Sequence, residues 1–496
     1  MKHLKYLVVA LGLLASPANA GTIYVDITAN GALAANSGGT DTTCPTNCVS
    51  GTLAVWTTAV NSVALDTNTN LTGIVTTPGA TQSSINLSTA TNPNRTIFWI
   101  ASVTGCTGAG ACTITLDTAP TCTGSGCTGN AWVIGGRFAM PSTGAGMVAA
   151  QGALRAGDTM IVNTDSPSKT TSFIQAVTAG DVVSGPVTIK GKSGAGTGSC
   201  PGTAGVTVSC PKIVTSSGST NPIQIGVANW TVDTLDIENS GTGFGLQSSG
   251  PHTIFRNNRS AGGVNAANAS GFGNILINND LSGATGDCVA SGTQSQPYFE
   301  SNYIHGCTGG NGITNSATSF TGTFINNIIT GNIKGISLSG ASSSQNQSAT
   351  IRGNVIYGNT GDGLNVANAN TALNLIDNIF QDNGQTSGYN VNLASGGSLA
   401  MVHTNNVFYQ SGAGTPTGNL NNLAVGTNEF TTNPGFVAPS TTPPSANFAI
   451  ASTGSAYKTG TPLSWGSANT LSYPNIGAAM NNASAGGASN IIGGGL

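Results

Sequence analysis

The chain has 496 residues, of which 14 Lys+Arg and 17 Asp+Glu make only 6% charged, against roughly 25% in an ordinary soluble domain. Gly, Thr, Ser and Asn stand where the charge is missing, which argues against a membrane bundle and a charge-rich helical fold. A formal net charge of −3 with no basic cluster lacks the electrostatic footprint that nucleic-acid binding needs, so nucleic acid drops out as a partner.

In chain order, the first element reads as an export signal. Lys2 and Lys5 precede an apolar run from Tyr6 to Ala15, and Ala18-Asn19-Ala20 supplies the small residues of a cleavage site. Residues 1–20 are therefore expected to be a bacterial signal peptide, with the mature chain secreted or held at the cell surface. No later stretch is apolar for the ~18 residues that a spanning helix needs, so no membrane span is expected.

All ten cysteines fall in near-neighbour pairs: Cys44 with Cys48, Cys106 with Cys112, Cys122 with Cys127, Cys200 with Cys210 and Cys288 with Cys307. Five local disulfides are the economical reading for an exported protein. A tetrahedral zinc site would need clustered ligands and more histidine than this chain has. Residues 21–150 carry six of these cysteines and short β-like runs, Thr96–Ile100 and Ala131–Ile134, and read as an N-terminal β cap or insertion.

From Trp230 onward a short motif recurs. Its anchors are Leu235, Asn258, Asn279, Asn302, Asn327, Asn354, Asn378 and Asn406, and the asparagines stand 21 to 28 residues apart. Three residues before each anchor lies a large apolar side chain: Val232, Phe255, Leu276, Phe299, Phe324, Ile351 and Leu375, with His403 the exception. Helix pairs are excluded because Gly and Asn punctuate every half-repeat, and the leucine grid of leucine-rich repeats is missing. What remains is a solenoid of short parallel strands about 4.8 Å apart, with apolar stacks inside. The anchor Asn is expected to take a left-handed or bridge turn and to bond its amide to the next Asn, a ladder that uses donor and acceptor together.

Several passages carry a resemblance. "ALRAGDTMIV" at residues 153–162, "GPVTIKG" at 185–191, "NWTVDTLDIENS" from Asn229 and "GNTGDGLNV" at 358–366 resemble the right-handed parallel β-helix proteins of the pectin-lyase-like superfold. The resemblance implies an all-β fold with the β-helix over 151–437, the cap over 21–150, and a closing segment and tail over 438–496, where "SYPNIGAAM" resembles the end of such helices. A solenoid end exposes unpaired backbone and needs such cover.

Enzymes on this fold place their sites on an outward sheet face. Counting from the anchors, Arg256, Arg259, Asp280, Glu300 and Tyr303 are expected to form one patch on adjacent coils. Tyr303 would be a stacking platform for a sugar ring, with the charged groups bonding its hydroxyls or carboxylate. Asp280 and Glu300, with Arg259, are the candidate catalytic groups, since glycoside hydrolysis needs two carboxyls across the bond. The polygalacturonase pattern is absent, for the chain has no adjacent acidic pair and no Gly-His-Gly. Pectate-lyase chemistry would need calcium, for which Asp362, Asp377 and Asp382 are the candidates, and a base or charge neutraliser, Lys334 or Arg352. No cofactor is otherwise expected. Ile325, Ile328, Val355, Ile376, Ile379 and Val407 form an outward apolar stripe that something must cover, either the segment Phe436 to Met480 or a second chain through self-association.

Ionisable groups are scarce, and acid–base work on sugars needs several of them together. The sequence therefore favours a secreted β-helix scaffold with an adhesive, structural or polysaccharide-binding role, its partner a polysaccharide or cell-surface glycan. A polysaccharide lyase or glycoside hydrolase acting on an acidic polymer is the alternative.

Overall fold

Short strands, most of them ended by a Gly, Asn or Ser turn, return once per repeat to the same three parallel sheets. The computed structural model describes residues 154–459 with short interruptions and, before them, strands within 22–139. The expected signal peptide, the residues Cys44, Cys48 and Cys122, the side chain of Cys127 and the tail after residue 459 lie outside the described residues. The expected disulfides of Cys44 with Cys48 and of Cys122 with Cys127 therefore fall outside them too.

The first sheet has twelve strands and runs through Trp230–Asp233, Ile254–Arg256, Ile275–Ile277 and Tyr298–Glu300 to Met401–Thr404. The second has nine, from Lys212–Thr215 through Asp236–Asn239 and Arg259–Gly262 to Val407–Tyr409. The third has ten, from Ile174–Gln175 to Gly418–Asn421. The predicted apolar columns stack in register, Val232 on Phe255, Leu276, Phe299, Phe324, Ile351 and Leu375. All of these are buried in one core that runs the length of the solenoid. Each such side chain contributes about 1.5–3 kcal/mol by leaving water.

The Asn ladder stands between the first and second sheets. Asn258 donates its backbone N–H (3.0 Å) and its Nδ2 (3.2 Å) to Asn279 Oδ1, and Nδ2 also reaches Val232 O at 2.9 Å. The pattern repeats down to Asn406. One expectation is corrected. The left-handed residue is the one before each anchor: Thr234, Asn257, Asn278, Ser301, Asn326, Gly353, Asp377 and Asn405 all have φ between 51° and 65°. That residue makes the corner, which leaves the anchor free to point inward. At its lower end the ladder meets Glu429, whose carboxylate accepts from Asn406 Nδ2 at 2.6 Å and from the Gly426 N–H at 2.6 Å, and pairs with His403 Nδ1 at 3.0 Å.

A second ladder, not anticipated, lines the turn between the second and third sheets. Asn332, Asn359, Asn383, Asn390 and Asn419 are linked amide to amide. Above it the Cys288–Cys307 disulfide takes the same turn, and Cys307 N–H donates to Asn332 Oδ1 at 2.9 Å. Cys106–Cys112 and Cys200–Cys210 also pair as predicted. Cys288 and Cys307 are 19 residues apart, a loop whose closure stabilises by about 3 kcal/mol in the chain-entropy account. The double substitution Cys288→Ala/Cys307→Ala is expected to lower stability by about that amount, read as a shift of the urea midpoint.

At the N-terminal end, Thr22–Asp26 is itself a solenoid strand, pairing in parallel with Thr159–Val162 and Phe138–Ala139. Between these strands the chain makes a closed antiparallel barrel of six strands, from Val49–Trp56 to Cys127–Ile134. Ile85, Phe98, Ile100 and Ile114 fill it. Trp99 faces the other way into the solenoid core, with the Arg155 guanidinium 4.5 Å from its ring centre. At the other end, Phe436–Ala438 and Asn447–Ile450 form an antiparallel pair. Among the described residues no helix is long and apolar enough to cross a membrane.

Candidate functional site

The charged residues predicted as one patch divide between two sheets, and each is bound by a neighbour. Arg256, on the first sheet, pairs with Asp233 one coil above (2.9 Å). Arg259, on the second, bridges Asp236 (2.8 Å) and Glu238 (3.0 Å), and Glu238 also holds Lys212 (2.8 Å). Asp280 stands directly below Arg259 in register and is taken by His305 Nε2 at 2.9 Å. Glu300 faces out of the first sheet, where the Tyr298 hydroxyl donates to it at 2.8 Å. The expected single patch is therefore divided: Asp280 and Glu300 sit on different sheets with separate partners. Tyr303 is packed into the apolar seam of the second sheet, its hydroxyl buried, its ring stacked on His305 at 4.2 Å.

Asp233, Asp236, Glu238, Lys212 and His305 were not singled out in the sequence. The signal for two of them was present, since Asp233 and Asp236 occupy the columns of Arg256 and Arg259 one coil earlier, at the anchor Leu235. A hairpin, Gly198–Pro201 with Thr207–Cys210, closed by the Cys200–Cys210 disulfide, flanks this end of the face. Its Ser199 N–H donates to Asp236 Oδ2 at 2.9 Å, and its Gly202 O accepts from Asn278 Nδ2.

Burial under the hairpin drives the Asp236 carboxyl above its ordinary range, and the Ser199 N–H and Arg259 only partly offset it. Burial also acts on Glu238, but its hydrogen bonds from Lys212 and Arg259 outweigh it and hold that carboxyl low. For Arg259, burial is outweighed by Asp236 and Glu238 and the guanidinium is held more firmly charged. Tyr298 and Tyr303 are both pushed well above the ordinary phenol value, first by burial and then by Glu300 and Asp280 respectively. A raised folded-state value leaves their contribution intact below about pH 10 and removes it as the pH climbs beyond. Thermal melts across an alkaline series are expected to show the melting temperature falling from about pH 10 upward, with Tyr298→Phe flattening that fall.

The calcium candidates do not converge. Asp362 lies ahead of the third-sheet strand Leu364–Val366, accepts from Tyr389 N–H and Asn392 Nδ2, and faces Lys334 Nζ at 3.6 Å. Asp377 is at the first-to-second sheet corner with Arg352 Nε at 3.6 Å. Asp382 is at the next corner and accepts from Gln381 Nε2 and Ser411 N–H. Lys334 and Arg352, the candidate bases, are thus bound to two of these aspartates. Among the described residues no group of three or more His, Cys, Asp or Glu is placed to hold a metal ion.

The apolar stripe divides in the same way. Ile328, Val355, Ile379 and Val407, on the second sheet, are buried under Phe448 and Ala456 of the chain's own C-terminal segment, with Phe436 and Ile450 beside them. Ile325 and Ile376 lie on the first sheet and stay half-exposed.

The class defined by this winding is the parallel β-helix, the fold that the sequence resemblance implied. Neither a family model nor a curated protein matches the chain. Among solved structures, similarity is found to pectate lyase Pel9A, at 16% identity over 67% of this chain and 90% of that one, with a TM-score of 0.44. The A-module of the Azotobacter vinelandii mannuronan C-5 epimerase AlgE4 matches at 10% identity over 56% and 84%, with a TM-score of 0.32. The catalytic domain of a GH87 α-1,3-glucanase matches at 12% over 77% and 90%, with a TM-score of 0.27. The activities in those names are theirs; the fold assigned here stands on the strand pairing.

Proposed function

We propose that the chain is an exported β-helix scaffold that binds polysaccharide through its uncharged faces and does not turn it over. One observation carries this reading: Arg256, Arg259, Asp280, Glu300, Lys334 and Arg352 are each bound to a neighbouring side chain. A general acid and base must instead be poised within reach of a substrate proton. Surfaces made of Asn, Thr, Ser and Gln offer donors and acceptors side by side, which suits sugar hydroxyls. The three described disulfides fit an oxidising destination outside the cytoplasm. Self-association has less to recommend it, because the buried part of the stripe is covered by the chain itself.

The test is to incubate the purified protein with polygalacturonate, alginate, cellulose and chitin. Retention on at least one polymer without release of reducing ends or unsaturated products is expected. Turnover of an acidic polymer that disappears in Asp280→Asn would favour the enzyme instead.

A further inference from the structure

The third sheet has a face that, of the charged candidates, only Asp362 and Lys334 border. From Ile223–Ile225 to Leu364–Val366 its strands are three residues long, with the outer two side chains buried and the middle one turned outward. Pairing in register stacks these middle residues into one column that includes Gln224, Gln247, Asn268, Thr314, Asn365 and Asn392. Ala290 and Ser337 are its other members between Gln224 and Asn392, and Gln175 and Asn421 continue it at the two ends, so no member is charged. From Gln224 to Asn392 all are half-exposed except Ser337, which is buried. At about 4.8 Å per coil that span runs roughly 34 Å along the solenoid.

Small residues and few charges flank the column. The residue after each strand is small, as at Gly226, Ser249, Ser270, Gly292, Ser316 and Ser339. At its margin Lys334 faces Asp362, which also accepts from Asn392 Nδ2 at 3.1 Å, and Asp287, at the same place before Val289–Ser291, accepts from the Asn311 N–H at 2.7 Å. Some amides are oriented in advance, Gln247 Oε1 by Asn221 Nδ2 and Asn392 Oδ1 by Asn421 Nδ2.

We infer that this column is the docking track for a neutral, extended polysaccharide chain lying along the solenoid, an inference that rests on the polysaccharide-binding reading above. Amides and hydroxyls both donate and accept, as sugar hydroxyls do. An acidic polymer would need cations opposite it, and the column has none. A protein partner would call for a buried aromatic or Arg anchor, which the column also lacks. A polar contact recurs at most coils, Ala290 and the buried Ser337 being the exceptions, so weak single contacts add along one ligand chain and binding strengthens steeply with chain length.

The experiment measures co-sedimentation with microcrystalline cellulose and with chitin, in the presence and absence of soluble polygalacturonate. The comparison is between the natural chain, the triple variant Gln247→Ala/Asn268→Ala/Asn365→Ala, the shape-conserving Thr314→Val, and Asn374→Ala on the first sheet as a control. The expected result is binding to a neutral polymer that polygalacturonate does not displace, weakened at least tenfold in the triple variant and measurably in Thr314→Val, with the control unchanged. If the column variants bind as the natural chain does, the track is elsewhere while the scaffold reading survives. Displacement by polygalacturonate overturns the neutral ligand class. Failure of the natural chain to bind any polymer removes the scaffold reading and the track together.

Discussion

Replacing Asn327 by alanine is expected to destabilise the solenoid by about 3–5 kcal/mol, the effect of leaving a small number of buried polar groups without partners. Asn327 Oδ1 accepts from both the backbone N–H and the Nδ2 of Asn302, and its own Nδ2 donates to Phe299 O and Asn354 Oδ1. Truncation removes all four bonds at a site with no exposure to water, so the Asn302 N–H has no alternative acceptor. Asn327→Asp separates the two roles. It keeps the acceptor, loses the donor and buries a charge, so at pH 7 it should be no more stable than alanine and should recover in part in acid, when the carboxyl is protonated. Urea unfolding at both pH values reads the difference. The exposed Asn374, on the outside of the first sheet, should tolerate alanine within about 0.5 kcal/mol. A loss at Asn327 no larger than at Asn374 would mean that the ladder is decoration.

That column was legible because it repeats a single residue type at a nearly fixed interval with apolar partners at fixed offsets, and a solenoid imposes this on every coil. What the interval does not encode is which residue bends. The turn was assigned to the anchor, yet the bend belongs to its predecessor, where Asn257, Ser301, Gly353 and Asp377 share a conformation but no side chain. The second ladder was hidden for a related reason. Its upper positions are held by Cys307, and by Ala284, whose N–H approaches Cys307 Sγ at 3.4 Å, before Asn332 begins the amide run. A search for one recurring residue stops at that change of chemistry, although Asn332, Asn359 and Asn383 each follow a first-ladder asparagine by the same offset.

The candidate site was less legible than the fold. Column offsets place residues on a face, and they did so correctly for Arg259 above Asp280. They do not say where one sheet ends and the next begins, which is why Glu300 and Asp280 are expected in one patch. They also cannot show what folds over a face from far along the chain. Tyr303 lies on the margin of the seam that the C-terminal segment covers, and burial there turns an expected sugar platform into packing.

The covering segment leads to the second large effect, at Phe448. This side chain is fully buried against Ile328, Val355, Ile379 and Val407, edge to face with Tyr357 (5.5 Å) and Phe436 (5.2 Å). Phe448→Ala should cost about 3–5 kcal/mol of local stability. Phe448→Asp adds an unpaired buried charge and should detach the segment altogether. The coils beneath keep both ladders and the inner core, since neither depends on Phe448, so circular dichroism should retain its β signature. The newly wet stripe of four β-branched residues is the kind of patch that seeks cover, and a chain with so few charges has little repulsion to keep copies apart. Phe448→Asp is therefore expected to bind a hydrophobic dye and to shift in sedimentation velocity from monomer to concentration-dependent oligomers. A second substitution in the stripe, Ile379→Thr, should weaken that association. A monodisperse, dye-silent Phe448→Asp protein would show that the seam is held shut by contacts other than this ring.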